Sequence, residues 1–111
     1  MQKPEKGFVE QCFYFDVLEK DGFANAGIFS PDEGVGVVLS FDKNTLDYFT
    51  EWKMMGETEY VLGLEPGNCT PDGRSVLRER GELKFLAPGE SYKTTLKFKF
   101  YNNIDNFNKN F

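Results

Sequence analysis

The chain has 111 residues, of which 18 are acidic and 13 basic, so it carries a net charge of −5 and has room for one domain. Hydrophobic residues make up 40% of it and charged residues 28%, which is ordinary for a soluble globular protein and argues against wholesale disorder. The acidic balance makes nucleic acid and anionic membrane surfaces unsuitable partners, since both attract a basic face. No apolar run approaches the roughly 20 residues of a membrane span.

Cysteine and histidine counts narrow the chemistry further. Two cysteines, Cys12 and Cys69, are too few for a disulfide scaffold and are typical of reduced thiols in a cytoplasmic protein. The chain has no His, so it lacks the commonest general acid–base group and the commonest metal ligand. The first residues have no apolar stretch behind their charges, so no secretory signal is predicted. We therefore expect a cytoplasmic protein with no metal and no cofactor.

The first half of the chain shows strand patterns. Aromatic residues reach 16%, with 12 Phe, and such residues favour half-buried pleated surfaces. Apolar residues on both faces of residues 8–18 predict a first strand that lies between two covering layers. Turn residues follow at 20–22, and residues 23–29 and 35–41 predict a second and a third strand.

The second half continues the pattern. Residues 45–55 are predicted as an irregular strand and residues 59–64 as a regular one. The segment 65–74, with two prolines and two glycines, predicts an irregular loop. Residues 82–86 and 91–101 predict a closing hairpin across a type II turn at 87–90. In its last strand Leu96, Phe98 and Phe100 alternate with lysines, which predicts a core face and a solvent face.

Six or seven short strands at regular turn spacing predict an all-β protein, an antiparallel β-sandwich or a barrel. We expect one domain over residues 1–101 with no internal boundary. The tail at residues 102–111 is rich in Asn and has little to bury, so we expect it to fray. The only plausible helical turn is at residues 45–55, and its aromatic content fits a strand equally well.

Several sequence segments resemble one known family. They are Trp52-Lys53-Met54-Met55-Gly56, Tyr60-Val61-Leu62-Gly63-Leu64-Glu65-Pro66-Gly67-Asn68, Gly73-Arg74, Arg80-Gly81-Glu82-Leu83 and Leu86-Ala87-Pro88-Gly89-Glu90. In this order they resemble the C-terminal half of the aldose 1-epimerase (galactose mutarotase) superfamily, and within it the DUF4432 group. The resemblance runs through nearly all of the chain up to Tyr101. It implies the C-terminal portion of a galactose mutarotase-like supersandwich that binds a pyranose on a concave sheet face.

The resemblance also implies a chemistry. In active members a Glu at the end of a late strand is the general base on the anomeric hydroxyl, and a His is the general acid on the ring oxygen. Glu65 stands at the matching position, where we expect a rigid, buried carboxylate. The family's histidines come from a part of the fold N-terminal to this segment, and this chain has none. We therefore expect a carbohydrate-binding domain that is inefficient as an isomerase on its own.

Five residues are candidates for a sugar site, each with a structural alternative. Glu65 is the catalytic candidate; the alternative is a structural carboxylate paired with Arg74 or with a backbone amide. Asn68 is a hydrogen-bond partner for a sugar or an Asx-turn residue. Trp52 stacks on a pyranose or packs in the core. Arg74 and Lys53 bind a sugar hydroxyl or an acidic sugar's carboxylate, or are solvated surface charges.

A second function of a different class stays open. Half a sandwich exposes sheet edges and apolar area, so the chain is alternatively a non-catalytic interaction domain that self-associates into a homo-oligomer through its edges. A small-molecule sugar is the partner in the first hypothesis, and a protein chain is the partner in the second.

Overall fold

The computed structural model describes residues 1–111 and contains seven strands and two short helices. The strands are β1 (Gln11–Tyr14), β2 (Glu19–Lys20), β3 (Phe23–Ser30), β4 (Val35–Asp42), β5 (Tyr48–Met55), β6 (Tyr60–Gly67) and β7 (Leu96–Tyr101), and the helices are α1 (Arg74–Glu79) and α2 (Ile104–Asn108). One sheet has the order β1-β5-β6 and the other β2-β3-β4-β7, and every pair is antiparallel. The chain is therefore all-β, with the two antiparallel sheets expected of a sandwich.

The two sheets meet at one end. Phe41 of β4 stacks on Phe49 of β5, with ring centroids 5.6 Å apart and an interplanar angle of 9°. Ala24 and Leu46 complete this buried cluster, and Leu64 of β6 packs against it. Only 12 of the 111 residues are buried, so this contact accounts for much of the core.

The sheets separate away from this contact. A cavity of about 570 Å³ opens between Ile28 on β3 and the side chains of Leu62 and Leu64 on β6. Both sheets therefore carry apolar surface that the rest of the chain does not cover. This partial closure decides which faces are exposed to solvent.

The central hairpin is more regular than the sequence suggested. β5 and β6 pair over their full eight residues, from Tyr48 opposite Gly67 to Met55 opposite Tyr60. Residues 45–55 thus contain a regular strand, and β6 runs on through Glu65 and Pro66, which were predicted to lie in a loop. Pro66 is tolerated because β6 is an edge strand, where a missing backbone donor breaks no ladder.

The first and last strands lie in surroundings different from those predicted. β1 is only four residues long and all four are exposed, so it is not sandwiched between two layers. β7 pairs with β4 rather than with residues 82–86, which form no strand. The turn between them is present: the Glu90 amide donates to the Ala87 carbonyl at 3.0 Å, and Gly89 has the positive φ of 79° that a type II turn requires.

The expected core face of the last strand is on the surface. Leu96, Phe98 and Phe100 are 43%, 60% and 80% exposed, so the prediction that they line the core is wrong. Their alternation with lysines is real, but the three-stranded sheet does not extend far enough to cover β7. Alternation identifies the apolar face of a strand and does not reveal whether another layer lies on it.

The Asn-rich tail does not fray as predicted. α2 begins after Asn103, whose side chain accepts hydrogen bonds from the amides of Asp105 and Asn106 at 2.9 and 3.1 Å. Its Phe107 is buried against the rings of Phe29 and Tyr101, with centroids 5.4 and 6.1 Å away. One buried aromatic residue and a good N-cap are sufficient to hold this turn of helix on the sheet.

The other helix lies in the segment between β6 and β7. α1 is anchored by Leu77, its single buried residue, and its first residue is Arg74. No helix was predicted here, and Arg78, which was interpreted as an exposed charge on a strand, lies in this helix. Neither helix of the protein is long and apolar enough to cross a membrane.

Candidate outer-face site

The outer face of the three-stranded sheet, the face turned away from the second sheet, carries the candidate site. Successive side chains on a strand point to opposite faces, so Thr50 and Trp52 point outward because Phe49 points into the core. Residues directly opposite one another on paired strands share a face. Glu65 lies opposite Thr50, and Gly63 lies opposite Trp52, so Glu65 also points outward.

Glu65 is exposed and unpaired, contrary to the buried carboxylate expected from the sequence. Its side chain lies along β6 over Gly63, where a Cβ would be 3.2 Å from the Glu65 carboxyl carbon. It forms no ion pair with Arg74 or with any other residue. The carboxylate is therefore available to a ligand, and it is held beside the strand position that faces Trp52.

Trp52 lies on the surface of the sheet and outside the core cluster. It is half-buried, and its indole Nε1 donates a hydrogen bond to the Glu10 carboxylate at 2.8 Å. Its neighbours on the outer face are Gly63 on one side and Cys12 on the other, both small. This hydrogen bond orients the indole ring, and the small neighbours leave space above the sheet beside it.

A second polar group lies on the same face and was missed in the sequence. Asp72 accepts hydrogen bonds from the Thr70 hydroxyl at 2.7 Å and the Tyr14 hydroxyl at 3.1 Å, and it pairs with the Arg80 guanidinium at 3.0 Å. Tyr14 belongs to the outer face because it lies opposite Thr50. We call Tyr14, Thr70, Asp72 and Arg80 the Asp72 cluster. In the sequence Asp72 falls within the loop predicted at residues 65–74, and no sequence signal links it to β1.

Hydrogen bonds set the ionisation of this cluster. The hydrogen bond from Thr70 lowers the pKa of Asp72, partial desolvation opposes it, and Tyr14 and Arg80 lower it further. Desolvation and the hydrogen bond to Asp72 raise the pKa of Tyr14. At neutral pH the cluster therefore consists of an ionised Asp72 held by a neutral phenol, a hydroxyl and a guanidinium.

The loop after β6 joins the two groups. It folds back over the outer face, so that Thr50 is only 3% exposed, and a depression of about 230 Å³ lies between Glu65, Thr50 and Thr70. Glu65 lies on one side of this depression and the Asp72 cluster begins on the other. No group of three or more His, Cys, Asp or Glu side chains that could hold a metal ion is present.

The structure does not bring the other predicted site residues to Glu65. Lys53 points to the inner face, and its Nζ donates to Gln2 Oε1 at 2.7 Å. Arg74 is exposed at the start of α1. Asn68 lines a separate cavity of about 550 Å³ together with Lys84 and Tyr92. Of the five candidates, only Glu65 and Trp52 lie near one another on the outer face.

The sequence assigns the domain to a family. A family model described as Domain of unknown function (DUF4432) matches residues 1–100. The chain belongs to the DUF4432 family. The matched residues include both sheets up to Phe100, the outer face and the Asp72 cluster, and they stop before α2. Comparisons with curated proteins and with solved structures found no match.

Proposed function

We propose that this DUF4432 domain binds a pyranose sugar on the outer face of its three-stranded sheet, through Glu65 and Trp52. The observation that carries the proposal is the position of the Glu65 carboxylate over Gly63, directly across from Trp52. An unpaired carboxylate accepts hydrogen bonds from sugar hydroxyls, and charge-assisted hydrogen bonds are stronger than neutral ones. An indole ring offers an apolar surface with a polar tip, which suits the C–H face of a pyranose.

Sequence resemblance supports the same assignment. Glu65 stands at the position of the general base in the aldose 1-epimerase superfamily, and the domain would represent the C-terminal part of that supersandwich. In that role Glu65 takes the proton of the anomeric hydroxyl while an acid protonates the ring oxygen. The depression beside Glu65 lets a sugar contact the carboxylate and the Thr70 hydroxyl together.

The proposed activity is binding, because an acid partner for Glu65 is missing from the outer face. Tyr14 is the phenol on that face, but it lies two strands away, about 10 Å at the usual strand spacing. Its hydroxyl already donates to Asp72, and its raised pKa makes it a weaker acid. Glu65 therefore acts here as a hydroxyl acceptor, and ring opening requires an acid from elsewhere.

A titration with defined sugars tests the proposal. Galactose, glucose and glucuronate are added to the ¹⁵N-labelled protein, and amide shifts of Trp52, Gly63 and Glu65 are followed. We expect saturable shifts that cluster at these three residues. In Glu65→Gln the sugar affinity should fall at least about tenfold, because one charge-assisted hydrogen bond is lost. Glu59→Gln is the matched control, since Glu59 is an exposed carboxylate at the β5–β6 turn.

Two results would contradict the proposal. One is the absence of saturable shifts with any of the three sugars in a protein that gives a dispersed, folded spectrum. The other is binding that Glu65→Gln and Trp52→Leu leave unchanged, because the sugar would then occupy a different surface.

A further inference from the structure

The protein exposes more surface than a compact monomer of its mass. Its accessible surface is 8104 Å² at 12.8 kDa, whereas a folded monomer of this mass exposes roughly 6,300 Å². Its radius of gyration is 16.4 Å, against about 13 Å for a compact domain of this length. The excess of about 1,800 Å² exceeds the roughly 800 Å² that each partner buries in a standard interface.

A contiguous part of the exposed apolar surface lies on one face of the four-stranded sheet. We call Val35, Val37, Leu96, Phe98 and Phe100 the open face. The β4–β7 register places them on one side, with Val37 opposite Phe100. Val35, Leu96, Phe98 and Phe100 are between 43% and 80% exposed, and a cavity of about 660 Å³ lies over Val35, Val37 and Phe100.

The rest of the chain covers this side of the sheet only in part. It buries Phe41, on which Phe49 stacks, and the neighbouring Leu39, which is 6% exposed, but it leaves most of the open face accessible. Helix α2 lies on the opposite side, where Phe107 packs against Tyr101. A contiguous apolar patch that stays exposed in a folded protein marks an interaction surface.

The charges of the protein indicate which partner fits. The open face contains no charged residue, because Lys97 and Lys99 point to the other side of β7. Two copies that each carry a charge of −5 repel one another over most of their surfaces, and an uncharged patch is where they approach without opposing like charges. A symmetric contact also requires a patch that is complementary to itself, and an apolar face meets this condition.

Pairing between the edges of two β7 strands is less suitable. To keep the open faces of both copies on one side, residues 96, 98 and 100 of one copy must pair with residues from the same set in the other. In the registers that pair most of β7, lysine then lies opposite lysine, for example Lys97 opposite Lys99 when Phe98 pairs with Phe98, and like charges directly opposite destabilise a sheet. Lysines on an edge strand are a common device against such pairing. We propose that a second copy of this chain packs face to face on the open face, forming a two-fold symmetric dimer.

The test measures molar mass by light scattering and by sedimentation equilibrium over about a hundredfold range of protein concentration. We expect the wild-type chain to have twice the monomer mass at high concentration. Phe100→Asp and the neutral Phe98→Ser weaken the dimer at least about thirtyfold, as the loss of a buried aromatic anchor does. Leu18→Glu is the matched control and stays dimeric, because Leu18 is 91% exposed and precedes β2 at the far edge of the sheet.

Each remaining outcome overturns the proposal. A wild-type chain that is folded and monomeric at the highest concentration shows that no second copy occupies the open face. A dimer that persists in both Phe98→Ser and Phe100→Asp, or that Leu18→Glu also dissociates, places the contact elsewhere. Circular dichroism of each variant checks that the fold is retained, and Phe98→Ser decides the test if the charged variant unfolds. The proposed sugar site lies on the other sheet, so the sugar titration and the dimer measurement can succeed or fail independently of one another.

Discussion

Glu65 and Gly63 lie two residues apart on the outer face of β6, and the Glu65 side chain occupies the space above Gly63 that a larger residue would fill. The side chain therefore turns back along the strand instead of extending into solvent. This position brings the carboxylate beside Trp52, which faces Gly63 across the β5–β6 pair. The absence of a side chain at Gly63 thus determines how the two proposed ligand-binding residues are arranged.

Gly63→Ala tests this arrangement. The new Cβ displaces only the flexible, exposed end of Glu65, so we expect the free energy of unfolding to change by no more than about 1 kcal/mol. Sugar affinity, in contrast, falls at least about tenfold because the carboxylate is moved away from the indole. Urea unfolding and the NMR titration measure the two effects.

Gly36→Ala is the control for this substitution. A Cβ at Gly36 would lie 2.9 Å from the Ile28 carbonyl oxygen, which is backbone and cannot move aside as a side chain does. We expect it to destabilise the fold by about 1–3 kcal/mol without acting on the sugar site. Equal loss of sugar affinity in both variants would argue that Gly63 acts only through general stability.

The isolated chain should not catalyse anomer interconversion efficiently. A positioned general acid contributes typically about 10²–10⁴-fold, and Glu65 has no acid partner on the outer face. Polarimetry of freshly dissolved α-D-galactose is expected to give a rate close to that of buffer. Robust acceleration by the 111-residue chain that Glu65→Gln abolishes would refute this and would require an acid among the residues of this chain.

The sequence predicted the strands well and their neighbours less well. Alternation at Val37, Leu39 and Phe41 located β4 because side-chain direction is a local property of a strand. β7 pairs with β4 although more than fifty residues separate the two strands in sequence, and no local pattern encodes this pairing. The exposure of Phe98 and Phe100 depends on the reach of another sheet, which is likewise non-local.

The candidate site was predictable to the same extent. Resemblance selected Glu65 and Trp52, and the β5–β6 register places them on one face. Lys53 was predicted to lie in the same site, but it follows Trp52 directly in sequence. Adjacent residues on a strand point to opposite faces, so Lys53 lies on the inner face. The Asp72 cluster was missed because its hydrogen bonds join β1 to the loop after β6, 58 residues away.

The C-terminal helix α2 is expected to contribute to stability although it is only 5 residues long. Phe107→Ala removes the ring that packs on Phe29, Tyr101 and Phe111, and should lower the free energy of unfolding by about 3 kcal/mol. Ile104→Ala, at a 43% exposed position of the same helix, should cost less than about 1 kcal/mol. Equal, small effects of both substitutions in urea unfolding would mean that the helix detaches readily in solution.

The Asp72 cluster should make the stability of the fold depend on acid pH. Because its hydrogen bonds hold the pKa of Asp72 below the ordinary 3.8, the folded state binds a proton here less readily than the unfolded chain. The resulting stabilisation is complete above the unfolded pKa and is lost as the pH falls through the folded pKa. Asp72→Asn should therefore lower stability at pH 7 and reduce its decline below about pH 4, as measured by urea unfolding at several pH values. The control is Asp32→Asn, because Asp32 is an exposed carboxylate in the β3–β4 turn, and this variant should keep the wild-type pH dependence. An identical profile in both variants would show that the Asp72 contacts do not stabilise the fold.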